Sequence, residues 1–177
     1  MTNQDIATAL RRLETVLARR PEMGMHPDVP ALARWQGGTR VEVCHESGAR
    51  LQTDLPVELG GSGEQVTPGW LLRAGLAACA VTRLAMSAAG AGIELAALEV
   101  EVASQSDLRG LLGLADGAGK PPSAGPQQLT LVLRLSAPGV PAERLRALAE
   151  DSQRLSPVSC ALQEPVPIDL RIEVLGG

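Results

Sequence analysis

The stretch that decides the fold is TPGWLLRAGLAACAVTRLAMSAAG, Thr67 to Gly90. It opens with a capping threonine followed by proline at the first helical position, runs through small and aliphatic residues without a β-branched cluster, and ends on glycine. These signals predict a helix from Pro68 to about Ala89. Arg73 and Arg83 interrupt its apolar run, and alanine and glycine dominate it, so it reads as the core helix of a folded domain rather than a membrane span. The run Gly60-Gly61-Ser62-Gly63 just before it lacks the Lys-Ser/Thr of a phosphate loop and reads as a tight turn feeding the helix.

Outward from this helix the period changes. On its N-terminal side, residues 31 to 36, 40 to 46 and 49 to 55 read as three strands, with Leu51, Thr53 and Leu55 alternating against Arg50, Gln52 and Asp54. On its C-terminal side, Leu98, Val100 and Val102 alternate with Glu99 and Glu101, and Leu129, Leu131, Leu133 and Leu135 form a second alternating run. A final one, Ile168, Leu170, Ile172 and Val174, predicts a strand at the end of the chain. Residues 104 to 126 read as a long loop, 141 to 154 as a helix, and Ser156-Pro157 as the start of a short helix. Strands in groups, each with one apolar face, beside long amphipathic helices define an α+β class with antiparallel sheets. Residues 1 to 30 form an N-terminal amphipathic helix, with Asn3 as its cap, and a linker; residues 31 to 177 form the main domain.

Composition sets bounds on this picture. The chain has 177 residues, 45% hydrophobic and 20% charged, with a net charge of −4. A compact monomer of 18.4 kDa would expose roughly 8,000 Å². Acidic balance and the lack of a basic run argue against nucleic acid and against an anionic membrane as partners. The charged N-terminus does not read as a secretory signal, so a cytoplasmic location is expected. With Trp35 and Trp70 as the only aromatic residues, base stacking and tyrosine chemistry have no support.

No metal-ligand spacing, nucleophile-elbow motif or phosphate-loop lysine occurs, so no metal or cofactor is expected. His26 and His45 stand apart from any acid pair. Three cysteines remain, without paired spacing. Cys44 shares a strand face with Glu42 and Glu46, whose charges oppose a thiolate. Cys79 lies deep in the central helix, where a small buried hydrophobe and a reactive thiol are both open readings. Cys160 falls in the first turn of a helix, where unpaired amides favour an anion.

The order Gly60-Gly61, Thr67-Pro68, Leu71-Leu72, Ala77-Ala78-Cys79, Gly92-Ile93, Leu98 to Val102, Asp107-Leu108-Arg109-Gly110, Ser156-Pro157-Val158-Ser159 and Pro165-Val166-Pro167 resembles the OsmC/Ohr family over about residues 31 to 175. The resemblance implies an intertwined homodimer, in which sheets from both subunits wrap long central helices. It implies a thiol peroxidase acting on small organic hydroperoxides, with Cys79 as the attacking thiol, Cys160 or an external thiol as the candidate resolving thiol and a dithiol reductant to reopen the disulfide. Arg40 is the nearest match to the family's thiolate-holding arginine, and an ion pair with Glu42 is its structural alternative. The chain departs from the family at Gly69, where a glutamate usually follows the helix-opening proline, and at Ser156, where a cysteine usually stands. Those departures keep open a non-catalytic homodimer that binds a small apolar ligand or serves as a scaffold.

Overall fold

A computed structural model describes residues 2–115, 117, 119–164 and 166–176. Asp116 and Ala118 of the expected long loop, and Pro165 of the motif before the last expected strand, lie outside the described residues. Helix α1 (Asn3–Arg19) is followed by a 3-10 turn at Pro21–Gly24 and by strands β1 (Leu32–Trp35), β2 (Val41–Cys44) and β3 (Arg50–Thr53). Helix α2 (Pro68–Gly90), strand β4 (Ala97–Gln105), helix α3 (Leu108–Leu112), strand β5 (Gln128–Ser136), helix α4 (Ala142–Arg154) and helix α5 (Pro157–Gln163) complete the order. The strands form two separate antiparallel sheets, β1-β2-β3 and β4-β5. The α+β class with antiparallel sheets and a long central helix is therefore as expected.

Helix α2 forms for the reasons its sequence states. The Thr67 hydroxyl accepts from the Trp70 amide at 3.1 Å, and Pro68 stands where a free N–H would have no partner. Leu76, Ala80, Leu84 and Ala88 recur every fourth residue and form its buried stripe. That stripe packs among α1, β4, α4 and α5. Below it, Ala88, Ile93, Ala137 and Leu145 close a small aliphatic core. Among the described residues α2 is also the helix long and apolar enough to cross a membrane by length and composition.

The β4-β5 ribbon shows the predicted alternation. Leu98, Val100 and Val102 are half-buried, while Glu99 and Glu101 face out and clasp Arg134 of β5 at 2.7 and 2.8 Å. Such exposed pairs fix the register more than they stabilise the fold.

Four expectations need correction. Thr2, not Asn3, caps α1 in a reciprocal box with Asp5, and the freed Asn3 side chain donates to the Ile93 carbonyl at 2.8 Å. The segment expected as an uninterrupted loop carries α3, whose first turn is capped by Asp107 through the Arg109 amide. The expected buried face of β3 is largely open: Leu51 is exposed and only Thr53 is buried. The alternating C-terminal run forms no strand, because among the described residues none pairs with residues 168 to 174, and Ile168 is left 92% and Val174 89% exposed.

These open faces enlarge the surface. The single chain exposes 13166 Å², well beyond the roughly 8,000 Å² expected of a compact monomer of this mass.

Candidate active site

Helix α2 carries Cys79 on the flank of its buried stripe, between Leu76 and Ala80, where the thiol is half-buried. The residue facing it comes from 77 positions further along the chain: the hydroxyl of Ser156 donates to the Cys79 sulfur at 3.3 Å. Ser156 is fully buried at the N-cap of α5. Its backbone serves the helix, accepting from the Cys160 amide at 2.9 Å, whereas its side chain makes no capping hydrogen bond. The sequence presents Ser156 as a helix cap; its hydroxyl is turned to a thiol instead.

An open groove of about 480 Å³ lies in the same region of the fold, and its lining includes neither Cys79 nor Ser156. Leu76, one turn before Cys79, and Ser159, on the turn after Ser156, line it together with Leu129, Leu131 and Leu133 of β5. The same leucine alternation that builds β5 thus supplies one apolar wall of this groove, and Gln153, Arg154 and Gln163 supply polar groups to it.

Cys160 is exposed, and its thiol donates to the Arg154 carbonyl at 3.4 Å. The structure therefore brings Ser156, and not Cys160, against the Cys79 sulfur. Helix spacing puts the half-buried Arg83 one turn beyond Cys79, with Cβ atoms about 5–6 Å apart. Arg73, one turn and a half before Cys79, is occupied by the Ser104 hydroxyl at 3.1 Å.

Arg40 lies in the β1-β2 hairpin turn. Its expected structural alternative, a pair with Glu42, does not form. Arg40 instead meets Glu64 at 3.1 Å and Asp54 at 3.7 Å, while Glu42 pairs with Arg50 at 2.8 Å. Asp54 is buried and accepts from the Thr39 hydroxyl, from the Ser62 hydroxyl and amide, and from the Leu55 amide. The Thr39 hydrogen bond foremost, then those of Ser62, hold its carboxyl far below the usual carboxylate range. This knot ties the turn that carries Arg40 to the loop that feeds α2. Gly61 is required within it, since a Cβ there would sit 1.8 Å from the Leu55 carbonyl oxygen.

Cys44 has a different setting from the one its neighbours in sequence suggest. Arg50 lies directly opposite it on β3, and the guanidinium groups of Arg50 and Arg34 reach its sulfur at 3.1 and 3.5 Å. Its thiol donates to Glu42 at 3.3 Å. Pairing across strands therefore sets two cations beside the one carboxylate.

A half-buried cysteine on a long central helix that packs against α1, β4, α4 and α5, in a chain with two antiparallel sheets, defines an α+β fold with a candidate thiol site. A family profile described as OsmC-like protein matches residues 61–171, and the chain belongs to that family. A comparison with curated protein sequences found no match. Solved structures share the fold. An OsmC-like protein from Mycoplasma pneumoniae is 15% identical with a TM-score of 0.65, the match covering 80% of this chain and 91% of that one. A putative osmotic stress induced and detoxification response protein from Psychrobacter arcticus is 19% identical with a TM-score of 0.58, over 77% and 90% of the two chains. An organic hydroperoxide resistance protein from Legionella pneumophila is 24% identical with a TM-score of 0.56, over 78% and 93%.

Proposed function

We propose that this chain is a thiol-dependent peroxidase that reduces small organic hydroperoxides through Cys79. The observation that carries the reading is the placement of Cys79: a half-buried thiol whose sulfur accepts a hydrogen bond from Ser156, while Leu76 and Ser159, each about one turn away along α2 and α5, line an open groove. An alkyl hydroperoxide needs both parts, an apolar wall for its chain and a nucleophile for its O–O bond. In the proposed step the Cys79 thiolate attacks the terminal peroxide oxygen. The S–O bond forms as the O–O bond breaks, the alkoxide leaves and takes a proton as alcohol, and Cys79 is oxidised to the sulfenic acid. A thiol reductant then supplies the two electrons that restore it. Arg40 is proposed as the cation that holds the peroxide, on the strength of the family resemblance and of its exposed position in the hairpin turn.

The working unit is proposed to be a homodimer. Its support is the surface excess of the single chain together with the unpaired, exposed apolar row Ile168, Leu170, Ile172 and Val174. The excess, roughly 5,000 Å² per chain, summed over two chains lies beyond the range of about 2,000–5,000 Å² that obligate interfaces commonly bury in total, so it leaves ample surface for such an interface.

A stopped-flow measurement of cumene hydroperoxide consumption in the presence of dithiothreitol, with wild type and Cys79→Ser, tests the activity. Consumption by the wild type alone is the expected result. Equal rates would leave the second reading, a non-catalytic dimer whose groove binds an apolar ligand, which the hydroxyl of Ser156 in place of a thiol opposite Cys79 favours.

A further inference from the structure

We propose that Ser156 is a catalytic hydroxyl of the Cys79 site, and that Cys79 is restored by an external low-molecular-weight monothiol rather than by a second cysteine of the chain. This deepens the peroxidase reading and rests on it.

The first observation concerns where the hydroxyl points. A serine at a helix N-cap ordinarily spends its side chain on a free amide of the first turn. Ser156 has the extended backbone of an N-cap, at φ −83° and ψ 113°, yet makes no such bond. Its fully buried hydroxyl is directed at the Cys79 sulfur. An O–H aimed at sulfur puts a hydrogen-bond donor on the reacting atom, and such bonds strengthen wherever their acceptor gains charge. The same hydroxyl remains within reach when the sulfur gains an oxygen.

The second observation concerns the other thiols. All three cysteines are free. Cys160 is exposed and donates to the Arg154 carbonyl; Cys44 is engaged by Arg34, Arg50 and Glu42 on the three-stranded sheet. A sulfenic acid at Cys79 therefore faces a hydroxyl, which cannot form a disulfide. Cys79 is half-buried rather than closed off, and an open groove of about 480 Å³ that takes Leu76 and Ser159 from the same two helices has room for a small thiol.

The cycle balances with two equivalents of monothiol. The first thiol attacks the sulfenic sulfur, forming a mixed disulfide and releasing the sulfenic oxygen as water. The second attacks the mixed disulfide at the monothiol's sulfur, releasing the Cys79 thiol and a small-molecule disulfide. The hydroperoxide is reduced to alcohol, and the two monothiols are oxidised.

The test uses the full-length protein, cumene hydroperoxide as oxidant and free cysteine as the monothiol. Intact mass spectrometry after one equivalent of peroxide without thiol is expected to show the gain of one oxygen, trapped by dimedone at Cys79, in wild type and in Cys160→Ser alike. Added cysteine is expected to convert this species to a mixed disulfide and to sustain equal turnover in both. Ser156→Ala is expected to slow peroxide consumption about tenfold, the loss of one hydrogen bond to a charged acceptor. Ser156→Cys, whose sulfur would stand where the hydroxyl does, is expected to lose two hydrogens instead of gaining oxygen. A loss of two hydrogens in wild type that vanishes in Cys160→Ser overturns the proposal while leaving the peroxidase reading intact. An unchanged rate in a natively folded Ser156→Ala, checked by circular dichroism, overturns the role of Ser156. A wild type no faster than Cys79→Ser overturns the peroxidase reading itself, a result distinct from the other two.

Discussion

The buried carboxylate of Asp54 accepts both the hydroxyl and the amide of Ser62, at 2.7 and 2.9 Å, and so locks the end of β3 to the loop that leads into the cysteine-bearing helix. Thr39 joins the same carboxylate from the neighbouring hairpin turn. The turn that carries Arg40, the loop that carries Ser62 and the end of β3 thereby meet on one side chain.

Acid should loosen this knot. The hydrogen bonds from Thr39 and Ser62 lower the Asp54 carboxyl in the folded state relative to its ordinary value of 3.8. A depressed folded value means that the contribution is fully present above the unfolded value and is lost as pH falls below about 4 toward the folded value. Urea midpoints measured from pH 7 to pH 3 should therefore fall more steeply for wild type than for Asp54→Asn. At pH 7 the variant should melt about 5 °C lower or more, and parallel pH profiles would remove Asp54 from the account.

Leu84 is fully buried in the stripe of α2. Its replacement by alanine deletes methyl groups that neighbouring helices cannot fully close over, at a cost of about 2–5 kcal/mol. Chemical denaturation of Leu84→Ala followed by circular dichroism measures it. A change below about 1 kcal/mol would show that the helix repacks freely.

The exposed row at the C-terminus should be an assembly surface. Ile168 and Ile172 are 92% and 76% exposed on one alternating face. Sedimentation velocity should find a dimer for wild type and a shift toward monomer for the double variant Ile168→Glu, Ile172→Glu. A monomeric wild type at micromolar concentration would contradict the proposed homodimer.

Cys44 should prefer anionic reagents. With Arg34 and Arg50 at its sulfur, iodoacetate should modify it faster relative to iodoacetamide than it does Cys160, which has no cation at its sulfur contact. Arg50→Met should reduce that preference by about threefold at low salt and by less at high salt. Peptide mapping after brief alkylation reads each ratio, and an equal preference at the two cysteines would show that Glu42 cancels the arginines.

Most of the elements are legible in the residues because the forces that shape them act over a few positions. Thr67-Pro68, the fourfold spacing of Leu76, Ala80 and Leu84, and the alternation from Leu98 to Val102 and Leu129 to Leu135 each declare their element locally. Even so, local reading put the cap of α1 one residue late, at Asn3, because Thr2 gains a reciprocal partner in Asp5 and Asn3 is drawn to Ile93. Alternation from Ile168 to Val174 is equally clear, yet no strand follows from it, since a strand also needs a neighbour to bond with, and the described residues provide none there.

The site divides along the same line. The order of motifs in the chain nominates Cys79 and Arg40, with Cys160 as a displaced candidate partner. Which group meets the Cys79 sulfur depends on how α5 is laid against α2, a contact between residues 77 positions apart that no local spacing encodes. Cys44 shows the reverse case: its neighbours in sequence are glutamates, and only the pairing of β2 with β3 sets Arg50 across from it. Helical and strand periods are written in adjacent residues, whereas side-chain partners are chosen by packing. That is why the composition and motifs identify the helix and its thiol, while the fold alone turns the buried hydroxyl of Ser156 from a helix cap into the partner of Cys79.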